Sequence, residues 1–150
     1  MIGSRLWAAA GRAVQAWRRR GLGASRVLGG AGEDAAARFL RGAGFRVLAR
    51  NVVAPMGEAD LVCEAPDRRT VVVVEVKTRR VRAGRRRSIP AEAAVHWRKR
   101  RTLIAIARHL ARINGWRARP VRIDVIAVEF VWGSGTGAGP IIRHHVGAVA

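Results

Sequence analysis

The pattern of apolar and polar positions predicts two helices and a sheet of about five strands. Apolar residues recur at helical spacing over 32–43 and again over 90–113. Runs that are rich in β-branched residues, or that alternate apolar with polar residues, predict strands at 45–51, 58–65, 70–77, 121–131 and around 144–145. Together these elements predict an α/β fold, in which a mixed central sheet is flanked by one helix on each side.

The first 30 residues differ from the rest in pattern. They contain no acidic residue, several arginines and several glycines, and the apolar positions over 6–17 recur at helical spacing. This indicates a short basic amphipathic helix followed by a linker. We interpret 1–30 as a basic, flexible N-terminal arm and 31–150 as one domain. The arm either adds affinity for nucleic acid or is an idle tail.

The charge balance predicts the class of partner. With 29 lysines and arginines against 10 acidic residues, the chain carries a formal net charge of +19. Such a surface attracts polyanions, above all nucleic acids. We expect DNA and leave RNA open, although arginine-rich codon usage is an alternative explanation of the excess.

Two further features predict the compartment. A single cysteine, Cys63, cannot form an internal disulfide and favours the reducing cytoplasm. Apolar runs stay well below the roughly 20 residues that a membrane span requires. We therefore expect a cytoplasmic protein without integral membrane association.

Charged residues interrupt the hairpin predicted over 58–77. If 66–69 form a four-residue loop, Asp60 faces Glu75 and Glu58 faces Lys77 across the two strands. Opposed carboxylates repel each other unless a cation or a proton lies between them. A divalent ion such as Mg²⁺ or Mn²⁺ is the simplest solution. The alternative is a solvated polar face that carries a cross-strand ion pair.

Strict alternation predicts which hairpin residues share a face. The first face would carry Glu58, Asp60, Val62 and Glu64, and the second would carry Ala59, Leu61 and Cys63. In the next strand the residues that share a face would be Val71, Val73, Glu75 and Lys77.

Three further groups are candidates for the same site. Glu33 projects from the buried side of helix 32–43, although a first-turn glutamate is also favoured by the helix dipole. Lys99, one of only two lysines, points inward or along the rim of helix 90–113, or snorkels to solvent. The basic segment 78–90 is predicted to be either a phosphate-binding loop or a solvated turn.

The order of these features resembles a known family. GEAD at 57–60, VVEVKTR at 73–79 and VRIDVIAV at 121–128, with Glu33 before them, are similar to the YraN-type family of small bacterial proteins. That family is similar to the PD-(D/E)xK, restriction-endonuclease-like superfamily and to Holliday junction resolvases. The resemblance implies a restriction-endonuclease-like core and a Mg²⁺- or Mn²⁺-dependent endonuclease that cuts DNA, including branched or damaged DNA. A homodimer would be one way to cut two strands.

The resemblance also implies residue roles. Asp60 and Glu75 would be catalytic metal ligands, Lys77 would orient or deprotonate the attacking water, and Glu33 and Glu58 would be further acidic ligands. Residues expected to bind nucleic acid are Arg79, Arg80, Arg85, Arg86, Arg87 and Lys99. The competing hypothesis is a nucleic-acid-binding protein that keeps the nuclease fold without catalysis.

Overall fold

The computed structural model describes residues 23–84, 97–133 and 139–149. Within these residues five strands form one sheet, with a helix on each face. The elements in chain order are Ala24–Gly42 (α1), Arg46–Ala54 (β1), Gly57–Glu64 (β2), Val71–Arg82 (β3), Trp97–Ile113 (α2), the 3₁₀ turn Trp116–Ala118, Val121–Trp132 (β4) and Ile141–Val149 (β5).

The strands lie in the sheet in the same order as in the chain. β1, β2 and β3 pair antiparallel, β3 and β4 pair parallel, and β4 and β5 pair antiparallel. A parallel pair requires a long crossover, and the one between β3 and β4 contains α2. The predicted α/β fold with a mixed sheet of five strands is confirmed.

The core consists of one apolar cluster on each face of the sheet. On one face α1 packs through Leu40 against Leu61 and Ile126, and on the other α2 packs through Leu103 and Ile106. The strand β3 is buried on both faces, because its first four side chains have no exposure: Val71, Val72, Val73 and Val74. A charged residue that follows in β3 therefore lies at the edge of a protein interior.

The first helix begins earlier than predicted. We expected a start near Gly32 and a linker before it, but α1 begins at Ala24 and includes Gly29 and Gly30. Each glycine costs a helix only about 1 kcal/mol, so two of them do not stop one that packs on a sheet. The predicted boundary at residue 30 falls inside α1, and residues 1–22 of the predicted arm lie outside the described part of the chain.

Gly32 marks a close approach between α1 and β3. A Cβ atom at this position would lie 1.8 Å from Oγ1 of Thr78. Only glycine fits this contact, since real Cβ atoms do not approach other heavy atoms so closely. Glu33 is the next residue, so this contact brings its carboxylate near the strands that carry the other candidate residues.

The central strand is longer than predicted. We expected β3 to end at Lys77 and a loop to follow, but the pairing with β4 continues to Arg82, which lies beside Trp132. Because β4 offers a partner at every position, the basic residues remain in the sheet. The rest of the predicted loop and the predicted helix start at Pro90 lie outside the described residues, which omit 85–96 and 134–138.

No helix in the described ranges combines the length and the apolarity that crossing a membrane requires.

Candidate active site

The hairpin of β2 and β3 has the predicted register up to Leu61. Ala65 N–H donates to the Thr70 carbonyl at 2.9 Å, and the strands pair as far as Leu61 with Val74. One further step would align Asp60 with Glu75, but the strand pairing stops there. Instead, Oδ2 of Asp60 accepts a hydrogen bond of 2.7 Å from Val76 N–H. The Asp60 carboxylate thus takes the place of a backbone carbonyl and is held beside β3.

The predicted alternation of β2 is wrong at Asp60. Ala59 packs in the apolar cluster under α2 together with Val62, whereas Leu61 packs in the cluster under α1. The neighbouring strand is distorted at the same level, since Asn51 of β1 adopts a positive φ of 50°. The face of the strand therefore changes at Asp60, whose side chain binds the backbone of β3.

Glu75 brings the two lysines of the chain together. It is 4% exposed, its Oε1 lies 2.7 Å from Lys77 Nζ, and its Oε2 lies 2.9 Å from Lys99 Nζ. Lys99 also donates to the main-chain carbonyl of Glu58 at 3.1 Å. The expected pairing of Glu58 with Lys77 is wrong, because Lys77 reaches along its own strand face to Glu75.

The carboxylates of this site repel each other when they are ionised. Burial and the negative charge of Glu75 raise the pKa of Asp60 to about 7, although Val76 N–H and Lys99 act in the opposite direction. The negative charge of Glu33 also raises the pKa of Asp60, so these two carboxylates interact. Glu33 itself is largely buried and lies 3.9 Å from Arg50. A cation or a proton between these groups would relieve the repulsion.

The donor set fits a hydrated magnesium or manganese ion. Mg²⁺ uses one or two carboxylates and fills its remaining positions with water and phosphate oxygens, and Asp60 and Glu75 supply two carboxylates. Oε2 of Glu75 is buried and has no hydrogen-bond partner in the described ranges, despite its closeness to Lys99. The same ranges contain no group of three or more His, Cys, Asp or Glu residues suited to hold an ion, as a closed protein cage would require.

The residues predicted to bind nucleic acid lie in three different environments. Lys99 is part of the site itself through Glu75. Arg79 forms an ion pair with the buried Glu129 of β4. Arg80 is exposed and lines an apolar cleft of about 730 Å³ beside the start of α1. The other three lie in the segment 85–96, outside the described residues: Arg85, Arg86 and Arg87.

Sequence reasoning missed the buried Glu129, which is 1% exposed. It holds the guanidinium groups of Arg79 and Arg143. The signal was present, because Glu129 interrupts the apolar run VIAVEFV just as Glu75 interrupts the valines of β3. A charge within a run of this kind needs a partner, and the arginines of the neighbouring strands provide one.

Asp124 is buried for a structural reason. It has no exposure and accepts hydrogen bonds from Arg122 at 2.8 Å and from Gly147 N–H at 2.8 Å, while His144 Nε2 lies 2.8 Å away. Burial opposes its ionisation, but these partners outweigh burial and lower the pKa of Asp124. The ring of His144 packs edge-on against Phe39 and Phe45. This cluster fastens β5 to the sheet on the face opposite Glu75.

Comparison with known proteins identifies the family. Residues 32–128 match the model of the "Uncharacterised protein family UPF0102". The chain is 47% identical over 105 residues to a UPF0102 protein of Symbiobacterium thermophilum, covering 70% of this chain and 84% of that protein. It is 39% identical over 124 residues to one of Nocardia farcinica, covering 82% and 89%. The chain therefore belongs to the UPF0102, or YraN-type, family, which is restriction-endonuclease-like.

Proposed function

We propose that the protein is a metal-dependent endonuclease that hydrolyses phosphodiester bonds of DNA, with branched or damaged DNA among its substrates. The observation that carries this proposal is the convergence of Asp60, Glu75, Lys77 and Lys99 at one half-buried point of the sheet. A structural ion pair would need one lysine for Glu75. Two lysines and a second carboxylate of raised pKa are typical of a reaction centre.

Each side chain has a separate task in this mechanism. Asp60, fixed by Val76 N–H, and Glu75 would hold a Mg²⁺ or Mn²⁺ ion, and Glu33, whose charge raises the pKa of Asp60, would bind water of that ion. Such an ion lowers the pKa of bound water and neutralises charge that develops on the phosphate. Lys77, whose Nζ is 2.7 Å from Glu75, orients the attacking water and stabilises the charge on the phosphate oxygens.

Lys99 acts as a positioning residue. Its ammonium group bridges Oε2 of Glu75 and the carbonyl of Glu58, which belong to different strands. It therefore fixes the distance between β2 and β3 at the place where their pairing has ended. The hydrogen bond from Lys99 to Glu58 goes to the main chain and leaves the carboxylate uninvolved. We therefore include the Glu58 carboxylate among the proposed acidic ligands.

The net charge of +19 supports DNA as the partner. The proposal includes a cytoplasmic location, and a homodimer where both strands of a duplex are cut. RNA is a second polyanion that the same charge would attract.

The first prediction tests catalysis by an isosteric exchange. We expect Glu75→Gln to lower the cleavage rate of labelled DNA by about 100-fold or more, because it removes a metal ligand and its charge. Cleavage is measured with Mg²⁺ and with Mn²⁺ on duplex, single-strand, flap and four-way-junction substrates. The matched control is Glu64→Gln, which makes the same exchange in a buried glutamate paired with Arg46 and Arg119.

Two results would contradict this proposal. One is equal cleavage by the wild type and by folded Glu75→Gln, which would indicate a contaminating nuclease. The other is the absence of metal-dependent products on all four substrates with a wild-type protein that binds them.

The second candidate function is nucleic-acid binding without catalysis. It is favoured by the ion pairs that Glu75 forms with Lys77 and Lys99, because they neutralise its charge without a metal ion. In this case Glu75→Gln and Asp60→Asn would bind DNA as tightly as the wild type or more tightly, because they remove negative charge near the phosphates. Binding titrations alongside the cleavage assay separate the two functions.

A further inference from the structure

Four basic side chains continue from Glu75 across one face of the sheet. Lys77 and Arg79 follow Glu75 at alternate positions of β3 and therefore share its face. β4 pairs with β5 so that Arg143 lies beside Ala127, the neighbour of Lys77, and His145 lies beside Val125, the neighbour of Glu75. We call these four residues, Lys77, Arg79, Arg143 and His145, the basic row.

Glu129 fixes the two arginines of the basic row. Its Oε1 lies 3.0 Å from Nε of Arg79 and 3.1 Å from Nη1 of Arg143. Burial opposes the ionisation of Glu129, but the two guanidinium groups outweigh burial and lower its pKa. One negative charge thus holds two positive charges, and a net positive charge remains.

Both arginines of the basic row stay partly exposed. The side chains of Arg79 and Arg143 are each 28% exposed, whereas Glu129 beneath them is 2% exposed. A guanidinium group has five N–H donors, and contacts with a single carboxylate oxygen engage only part of them. The arginines are therefore held in place by Glu129 and keep donors that Glu129 does not engage.

Two buried nitrogen atoms of the basic row are not satisfied. Nε2 of His145 has no hydrogen-bond partner in the described part of the chain, and Nη1 of Arg143 is close to Glu129 without forming a hydrogen bond. A buried polar atom without a partner is costly, and such atoms need a reason. Glu129 alone therefore does not satisfy the polar groups of the basic row.

We propose that the basic row is a binding site for one backbone phosphate of the DNA strand, separate from the phosphate that is cleaved, with Arg79 and Arg143 as its main donors. This rests on the proposed function, because it places the scissile phosphate at Asp60 and Glu75. The planar fork of arginine matches phosphate oxygens in pairs. Arg79 lies four residues beyond Glu75, or about 13 Å along the strand, which separates the bound phosphate from the cleaved one.

The site therefore sets where a cut falls relative to a bound strand. A phosphate held by the arginines fixes the register of the backbone, as phosphate contacts do in other DNA-binding proteins. Another phosphate of the same strand is then presented to the carboxylates. Without the arginines, cleavage would be spread over several positions of the strand and binding would be weaker.

The test is a salt titration of DNA binding without divalent metal, so that no cleavage interferes. Each phosphate contact contributes about 0.9 to the slope of log K against log salt concentration. We expect Arg143→Gln to lower this slope by about one relative to the wild type. The matched control is Arg38→Gln, which removes the same charge from an exposed position of α1 on the opposite face. We expect it to leave the slope unchanged.

A second measurement locates the phosphate. Single methylphosphonate substitutions are moved along one strand of the DNA, and each removes one backbone charge. We expect one position, at a fixed number of steps from the cleavage position of the wild type, to weaken wild-type binding but not the binding of Arg143→Gln. Arg143→Lys, which keeps the ion pair with Glu129, serves if the glutamine variant does not fold. We expect it to keep the salt slope and the sensitive position, because lysine still neutralises the phosphate, and to bind DNA more weakly, because it lacks the paired donors of arginine.

The inference is overturned if folded Arg143→Gln has the wild-type slope, if wild-type protein does not bind DNA, or if folded Arg143→Lys binds DNA as tightly as the wild type. A lower slope for Arg143→Gln in a protein that cuts no DNA supports the phosphate site and contradicts only the nuclease. An unchanged slope with normal cleavage contradicts only the phosphate site.

Discussion

At the scale of single residues, Asp60 and Glu75 show how two carboxylates are kept together. Asp60 is bound to the backbone of β3, and Glu75 is neutralised by two lysines. The position of Glu75 was predictable, because valines on both sides of β3 leave it at the edge of the interior. The bond from Asp60 to Val76 N–H was not, because it depends on where the pairing of two strands ends.

A substitution of Asp60 should reveal its raised pKa. Between the usual value of 3.8 and about 7, the folded protein holds the Asp60 proton more firmly than the unfolded chain does. Its contribution to stability is complete below pH 3.8 and is lost as the pH rises through about 7. In a buffer that contains a chelator, the stability of Asp60→Asn relative to the wild type should therefore rise from pH 5 to pH 8. The expected rise is roughly 1 kcal/mol or more.

Urea unfolding at the two pH values measures this gain. Asp67→Asn is the control, because Asp67 is exposed and hydrogen bonds from Thr70 lower its pKa to about 2. It is ionised at both pH values in the folded and the unfolded state, so its substitution should have the same effect at each. An equal difference for Asp60→Asn at pH 5 and pH 8 would show that its pKa is not raised.

At the scale of elements, the existence of helices and strands was predictable and their ends were not. Leu103, Ile106 and Leu110 mark the second helix clearly, and the valines of β3 mark the central strand. The start of α1 was not predictable because Gly29 and Gly30 indicate a linker. A helix that packs on a sheet tolerates two such glycines, whereas an isolated helix does not. The end of β3 was not predictable because its arginines are typical of a loop. They remain in the strand pairing because β4 is equally long.

Replacing a glycine of α1 by alanine should change stability in opposite directions at two positions. At Gly32 an added Cβ would collide with Thr78, whereas at Gly30 it would meet nothing within 4 Å. We expect Gly32→Ala to destabilise the protein by about 1–3 kcal/mol through overpacking. Gly30→Ala should stabilise it by about 0.5–1 kcal/mol, because alanine is the better helix residue.

Thermal unfolding of the two variants beside the wild type measures this difference. The pair is its own control, since both exchanges add one methyl group to the same helix. Equal effects of both substitutions would mean that α1 does not approach Thr78 as closely as described.

At the scale of the whole molecule, acidic residues are scarce and several are enclosed by arginines. Glu64 is bound by Arg46 and Arg119, and Glu129 is bound by Arg79 and Arg143. These acids are buried, so they do little to balance the positive surface. A net charge of +19 on a chain of 150 residues therefore repels itself in the compact state.

Salt should consequently stabilise the protein. Screening of this repulsion favours the folded state, and the buried ion pairs lose little because they are screened less. We expect the midpoint of thermal unfolding to rise by a few degrees when sodium chloride is increased from about 0.01 M to about 0.15 M, over which the Debye length falls from about 30 Å to about 8 Å. A sucrose solution of equal osmolality controls for solute effects. A midpoint that falls with salt would mean that favourable ion pairs outweigh the repulsion.

The crossover between β3 and β4 determines when the site becomes complete during folding. The hairpin that carries Asp60 and Glu75 needs only a short loop and can close early, whereas Lys99 is 41 residues from its partner Glu58, and Arg79 is 50 from Glu129. Contacts that span long stretches of chain form slowly. We therefore expect Asp60, Glu75 and Lys77 to assemble first, and Lys99 and Glu129 to join them later, so that a chain still emerging from the ribosome carries an unfinished site until β4 has joined the sheet.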